Sequence, residues 1–519
     1  MFNFRQILVT CLLLASSCQA LSAPTPTPTP TATASATATS SFTPTPTLTA
    51  TESPPTLTPT ATLTSTATST QTISPTPSIT PQPTVGFVFD NWALVDVSEN
   101  ILTNLNSPLL AFINQNDRDN IPNQGTPQPA TGLETLYYVS PTDSSQRIAI
   151  AQLPASSEDQ VYISANGQSI AYFENDGTGQ RTGLYVLDLE NRLSGRILPI
   201  SSLVQRSFFS EPAWTRDGSR LAIALATGYD IDIFSIEKDN SNLTNLTQNG
   251  SYDVWPSWSP DGRYLMFVSD RARCPSWIPG DPQACDLAKE LPPLQGGEVG
   301  NIYIIDVESG ETRQMSSEWL SEPPHWLNNT TVVFASGDPT LGEPAQRKLW
   351  IGDVPTLQVQ EVKLADGSDY PIRLSETWKR DGSAVIYQSV SNNGSEVIAV
   401  RRDGTLIGRT NELAFPRFGM SASWIGDGTR LAVGGVNGQC QYGARVLDDQ
   451  FNFITRGNPP PGMCNPTYSP DGRWLAFTGV NPRVDGRVDV FVANPNGSGA
   501  INLTGSLRGA ISFIGWVGG

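Results

Sequence analysis

Residues 256–263 read Pro256-Ser257-Trp258-Ser259-Pro260-Asp261-Gly262-Arg263, and an apolar run, Leu265-Met266-Phe267-Val268, follows almost at once. An aromatic, a turn tetrad and a short apolar segment spell strand, turn, strand. In Ser259-Pro260-Asp261-Gly262 the serine can accept from the turn backbone, proline presets φ, aspartate suits the next position and glycine takes the positive φ that follows. Together they predict a type I turn with a glycine bulge, a common short hairpin connection.

The same arrangement, an aromatic with Asp-Gly starting three residues later, recurs at Trp214, Trp378, Trp424 and Tyr468. Ile163-Ser164-Ala165-Asn166-Gly167 and His325-Trp326-Leu327-Asn328-Asn329 are degenerate copies in which asparagine supplies the turn. Successive copies lie about 44 to 52 residues apart, with one gap of roughly 68, which is the period of a propeller blade. After each second strand comes a third, such as Ile231-Asp232-Ile233-Phe234 or Val488-Asp489-Val490-Phe491-Val492, and then a fourth, such as Asn245-Leu246-Thr247 or Asn502-Leu503-Thr504. The predicted fold is all-β: a β-propeller of four-stranded antiparallel blades. One blade cannot bury both of its faces, so the units stack radially and close. The C-terminal Ile511-Ser512-Phe513-Ile514-Gly515-Trp516-Val517 repeats the first strand and then stops. Leu109–Ile113, Thr135–Val139 and Arg147–Ile150 read as the second, third and fourth strands that it lacks. The C-terminal strand therefore joins the N-terminal blade, giving eight blades, or seven if the Ile163 unit or this composite is not a blade.

Pro256-Ser257-Trp258-Ser259-Pro260-Asp261-Gly262-Arg263 followed by Phe267-Val268-Ser269-Asp270-Arg271, and Asn465-Pro466-Thr467-Tyr468-Ser469-Pro470-Asp471-Gly472-Arg473, resemble the TolB-type β-propeller repeat, a WD-like repeat. The resemblance covers most of residues 85–519 and is specific for fold rather than function. In TolB-type proteins the propeller is six-bladed and periplasmic and binds protein partners of the cell envelope. In TolB-type proteins an α/β domain precedes the propeller, whereas here a low-complexity tract does, so the role of TolB itself does not carry over.

Residues 1–20 read as an export signal: one basic residue, Arg5, an apolar stretch from Ile7 to Ala15, and small residues before Cys18. Ala15-Ser16-Ser17-Cys18 resembles a lipobox with Ala in place of the usual Leu. Cys18 is then the lipidated first mature residue, and the protein is lipid-anchored on the outer face of the cell membrane or in the periplasm. The alternative is cleavage after Ala20 and free secretion. Residues 21–84 are almost wholly Thr, Pro, Ser and Ala, with Glu52 the one charge. Such a tract cannot form a core and favours extended polyproline II, so it reads as a stalk. At about 3.1 Å per residue, roughly 60 residues reach at most about 190 Å. The Thr-rich tract is open to O-glycosylation or can serve as a bare spacer. Residues 85–519 form the propeller.

With Cys11 in the signal and Cys18 assigned to lipid, Cys274, Cys285, Cys440 and Cys464 remain, an even set in an exported protein. Proximity pairs Cys274 with Cys285 and Cys440 with Cys464, the latter tying an outer loop to the next blade. Neither pair has tight metal-site spacing. The formal net charge of −17 argues against nucleic acid and anionic lipid as direct ligands. Membrane contact is expected only through a lipid anchor, and the chain is expected to be a monomer.

The chain has one histidine, His325, and no GxSxG, so neither a Ser-His-Asp site nor a multi-histidine metal site can be assembled. The oxygen-rich run Asn114–Asn120 is interrupted by Arg118 and lacks the bidentate Glu of a calcium loop, while Glu174-Asn175-Asp176-Gly177 reads equally as a hairpin turn. No cofactor and no metal are assigned. The favoured reading is a non-catalytic, envelope-tethered propeller that binds a protein or glycan where the first strands converge at one mouth of the channel. Glu211, Trp255, Glu376 and Asn465 are its candidate contacts, the aromatic to stack and the polar groups to orient. Asp270 and Arg271 read as a blade-stabilising pair. The alternative is an extracytoplasmic carbohydrate-active enzyme, for which Glu211 and Glu376 supply the two carboxylates such chemistry needs. A pure scaffold with no small ligand is a third reading.

Overall fold

The computed structural model describes residues 104–119, 133–154, 161–174, 182–199, 210–239, 241–286, 299–337, 347–367, 372–391, 394–413, 419–436, 440, 443–457, 462–480, 488–507 and 509–519. The signal, the stalk, Cys18 and the Asn175–Gly177 turn lie outside the described residues. Among those described, 32 strands fall into eight antiparallel groups of four. The first holds β1 (Leu109–Asp119), β2 (Leu133–Ser140) and β3 (Asp143–Pro154), completed by β32 (Gly509–Val517). The second holds β4 (Val161–Ile163), β5 (Ser169–Glu174), β6 (Gly183–Asp188) and β7 (Leu193–Pro199), and the third β8 (Ala213–Trp214), β9 (Arg220–Ala226), β10 (Ile231–Glu237) and β11 (Thr244–Asn245). The fourth is β12 (Asp253–Trp258), β13 (Tyr264–Ser269), β14 (Asn301–Asp306) and β15 (Thr312–Gln314), and the fifth β16 (His325–Trp326), β17 (Thr331–Ser336), β18 (Lys348–Asp353) and β19 (Gln358–Val362). The sixth is β20 (Ile372–Trp378), β21 (Ala384–Ser391), β22 (Gly394–Arg401) and β23 (Leu406–Thr410). The seventh is β24 (Met420–Trp424), β25 (Arg430–Gly435), β26 (Arg445–Asp448) and β27 (Phe453–Arg456), and the eighth β28 (Gly462–Tyr468), β29 (Leu475–Val480), β30 (Val488–Ala493) and β31 (Ile501–Asn502). A single parallel bridge, Gly435 opposite Cys464, joins the last two into one sheet.

The turn chemistry read from the sequence is present. Gly262 has φ of 71°, its N–H donates to Ser259 O at 2.8 Å, and the Ser259 hydroxyl both donates to Asp261 at 2.6 Å and accepts from Tyr264 N–H at 2.9 Å. Ser469 with Asp471 and Trp474 repeats the arrangement at 2.6 and 3.0 Å. The run Asn114–Asp119 continues β1 as strand rather than forming a loop.

The recurrent aromatic also has a physical reason. At five of these positions the indole N–H reaches back to the carbonyl of the residue preceding the aromatic position in the group before it: Trp214 to Tyr162 O, Trp258 to Ala213 O and Trp326 to Ser257 O, all at 3.0 Å, Trp516 to Thr467 O at 3.1 Å and Trp424 to Thr377 O at 3.4 Å. A tryptophan here fills the seam between sheets and satisfies an edge-strand carbonyl at once.

The second and third strands of each group are sandwiched between neighbours, so they are buried on both faces and read as near-continuous apolar runs. Ile113 and Tyr138 pack with Ile170 and Tyr172, Val186 with Ile223, and Ile233 with Met266, whose cluster continues through Ile304 to Val332. Ile351 meets Tyr387, Ile386 meets Val433 and Val446 meets Phe477. Leu110 and Phe112 of the first group pack with Ala476 and Val490 of the eighth. β32 pairs antiparallel with β1, Leu109 opposite Val517 and Asn114 opposite Ile511, as the repeat in the C-terminal strand predicts.

Candidate functional site

The strand bearing the repeated aromatic lies at the edge of its group, β4 with β8, β8 with β12, β20 with β24 and β24 with β28 being in contact across the seams. Each of these inner strands ends in its turn, so their beginnings share one end of the assembly. Proline stands two residues before the aromatic at Pro212, Pro256, Pro324 and Pro466. It is tolerated because an edge strand has no ladder partner on one side, and it blunts that edge against stray pairing.

β-Bulges occur just upstream, between Val254 and Ser257 of β12 and between Cys464 and Thr467 of β28. At each bulge the residue before proline adopts a left-handed backbone, Trp255 with φ of 55° and Asn465 with φ of 47°. Bulges re-aim side chains, and a bulky residue at positive φ is strained. For Trp255 the consequence runs against the expected stacking role: its side chain turns into the core, 7% exposed, among residues that include Val254 and Trp258. Its N–H donates to Ser210 Oγ at 2.5 Å, which places it beside Glu211 of the third group. Glu211 is exposed, yet desolvation by the protein around it raises its pKa above the ordinary value. Asn465 is half-buried.

Glu376, in β20, belongs to a cluster whose cation the sequence reading missed. Arg347, immediately before β18, has a side chain only 4% exposed and donates to Glu376 Oε2 at 2.8 Å. Through Nε it donates to Glu322 Oε1 at 3.0 Å, and its Nη2 binds the same oxygen. The two carboxylates, 36% exposed for Glu322 and 15% for Glu376, raise the Arg347 pKa against the opposing effect of burial. His325, exposed on β16, has its pKa lowered by desolvation while the Glu376 charge pulls it up. An arginine, two glutamates and a histidine from the fifth and sixth groups therefore share this end.

The predicted Asp270–Arg271 pair is replaced by another. Arg271 Nη2 grips both oxygens of Asp253 at 3.0 and 2.9 Å, and its guanidinium stacks over Phe267 and Tyr303. Asp270 instead accepts from Tyr252 N–H and Trp277 Nε1, both at 2.8 Å. Adjacent residues leaving a strand point to opposite sides, so sequence neighbours are poor ion-pair partners.

Both expected disulfides are present, Cys274–Cys285 and Cys440–Cys464. The second ties the β25–β26 connection to the next group, as expected, and lands on inner strand β28 next to Asn465. Among the described residues no group of three or more His, Cys, Asp or Glu side chains is arranged to hold a metal ion. No described helix is long and apolar enough to cross a membrane.

Strand grouping, turn chemistry and the indole ladder define the class, a β-propeller built from four-stranded antiparallel sheets. The TolB beta propeller domain profile matches residues 160–283. A TolB homolog of Chlorobium luteolum is 27% identical over 151 residues, 29% of this chain and 27% of that one. A TolB homolog of Chlorobium chlorochromatii is 43% identical over 123 residues, 24% of each. Over this stretch the chain is similar to the TolB propeller, and it spans about a quarter of the length of the curated relatives it matches. Among solved structures, TolB from Acinetobacter baumannii is similar at 15% identity and a TM-score of 0.31, over 76% of this chain and 81% of that one. An oligogalacturonate lyase in complex with manganese is similar at 14% and 0.39, over 71% and 95%. Likenesses this distant say nothing of activity.

Proposed function

We propose that the chain is an exported, envelope-tethered, non-catalytic propeller that binds a protein or glycan at the end where its inner strands begin. In this reading residues 1–20 direct export, Cys18 carries the anchor, residues 21–84 form the stalk, and residues 85–519 form an eight-bladed ring that β32 closes onto β1. The observation that carries the binding site is the gathering of polar side chains from separate groups at one end: Glu211, the Arg347-held pair Glu322 and Glu376, His325 and Asn465. Inner strands carry His325, Glu376 and Asn465, and the residues leading into strands carry Glu211, Glu322 and Arg347, so the scaffold positions them as a recognition surface requires. Trp255 serves this surface by holding the β12 bulge in place rather than by stacking on a ligand.

Affinity capture of envelope material on the full chain, with proteins and glycans both identified, tests the reading. A partner retained by the native chain and lost with Glu211→Ala or Asn465→Ala supports it. Empty capture, together with glycan cleavage abolished by both Glu211→Gln and Glu376→Gln, replaces it with a carbohydrate-active enzyme.

A further inference from the structure

Where inner strand β12 begins, the seam between the third and fourth groups holds four aspartates that are not among the candidate binding residues. Asp230 and Asp232 come from the start of β10, Asp253 from β12 and Asp270 from the end of β13, and all four are buried. One arginine, Arg271, is spent on Asp253. Arg273, which stacks on Trp319, also faces the group. Two phenols, Tyr252 and Tyr303, stand close by.

This seam is where the disulfide-stapled segment docks. Trp277 N–H donates to Gly250 O at 2.6 Å, the Trp277 ring stacks on Tyr252 at 5.5 Å, and Ser251 Oγ donates to Cys274 O at 3.0 Å. Asp270 sits at the centre of the dock, holding the Tyr252 backbone from one side and the Trp277 indole from the other. Asp232 holds the approach to it, accepting from Asn245, Thr247 and the Asn249 backbone, while Asn249 Nδ2 reaches Asp253 at 2.6 Å. Four carboxylates sharing a dry seam with one bound arginine repel one another at neutral pH.

We propose that this seam is a proton-operated clasp, which holds the stapled 270–286 segment down in mild acid and lets it lift as the carboxylates ionise. Burial raises Asp232 and Asp270 to about 6 each, with the neighbouring Asp253 charge adding to the rise and the hydrogen-bond donors pulling back. Burial raises Asp230 as well. A carboxyl bound more tightly to its proton when docked than when lifted stabilises the docked state fully below its ordinary value, 3.8. That contribution is lost as pH climbs through about 6. For Asp270, which bonds the stapled segment itself, a shift of about two pKa units is on the order of 100-fold in the docking equilibrium.

Hydrogen exchange of the full chain at pH 5 and pH 7.5, with times scaled for intrinsic exchange, reads this directly. Protection of the 249–286 region is expected to fall by about 10- to 100-fold more than that of the β29–β30 hairpin between the two pH values. Asp270→Asn, neutral throughout, should flatten that dependence, and Asp232→Asn provides the same readout if the first substitution disturbs folding. Equal pH responses of the two regions in the native chain would overturn the clasp, as would an undiminished difference in a folded Asn variant.

Discussion

Arg347→Met is the most informative single perturbation of the candidate binding end. The native guanidinium is almost fully buried and serves two carboxylates from adjacent groups. Methionine keeps much of the aliphatic volume but leaves Glu376, itself 15% exposed, facing a dry wall without a cation. Breaking a buried pair by removing one partner costs about 3–5 kcal/mol. Glu322, more open to water, recovers part of its solvation, which places the expected loss at the lower end, about 3 kcal/mol. The deficit should depend on pH with a definite sign. A carboxylate short of water and of its cation favours the neutral acid in the fold, so it stabilises in acid and loses that contribution as pH rises. Thermal unfolding should show the gap between variant and native chain shrinking from pH 8 to pH 5. Adding Glu376→Gln should restore most of the stability at pH 8, since the uncompensated charge is then gone. A loss below about 0.5 kcal/mol, the size of an ordinary surface change, or a double variant worse than the single by the full sum, would refute the clamp.

Three further outcomes follow from the fold. Trp258→Phe removes the indole bond to Ala213 O and should cost about 1 kcal/mol from the lost hydrogen bond alone, plus a packing term, read as a lower thermal midpoint. Gly262→Ala forces a Cβ into a left-handed position at φ of 71° where neighbouring atoms leave room, so the cost is backbone strain of about 1–2 kcal/mol, and Gly262→Asn should lose less. Opening Cys440–Cys464 by paired serine substitutions, across a sequence separation of 24, should cost about 3 kcal/mol by the loop-entropy relation, and proteolysis should then attack the β25–β26 connection first.

The repeat was legible because a turn tetrad and a seam-filling tryptophan are local devices: Ser259 to Gly262 act within five residues, and Trp258 sits at a fixed offset from them. The pairing of β32 with β1 could be read for the same reason, since Trp516 repeats the inner-strand signature without a turn after it. The candidate site was read only in part. Arg347 stands before an ordinary third strand, and nothing in its neighbours signals that it reaches Glu322 and Glu376, 25 and 29 residues away. Trp255 looked like a stacking platform because sequence gives its place on the strand but not the bulge that turns its ring inward. Asp270 and Arg271 looked like partners because adjacency in sequence was taken for adjacency in space, whereas alternation sent them to Trp277 and Asp253.

The central claim, recognition at the end where the inner strands begin, is tested most directly by site-specific photocrosslinking in living cells. A photoreactive side chain at Asn465 on inner strand β28 is compared with one at Leu406, exposed on outer strand β23. The account predicts a discrete crosslinked envelope product from position 465 and none from 406. Products from 406 alone, or indistinguishable products from both, would contradict it.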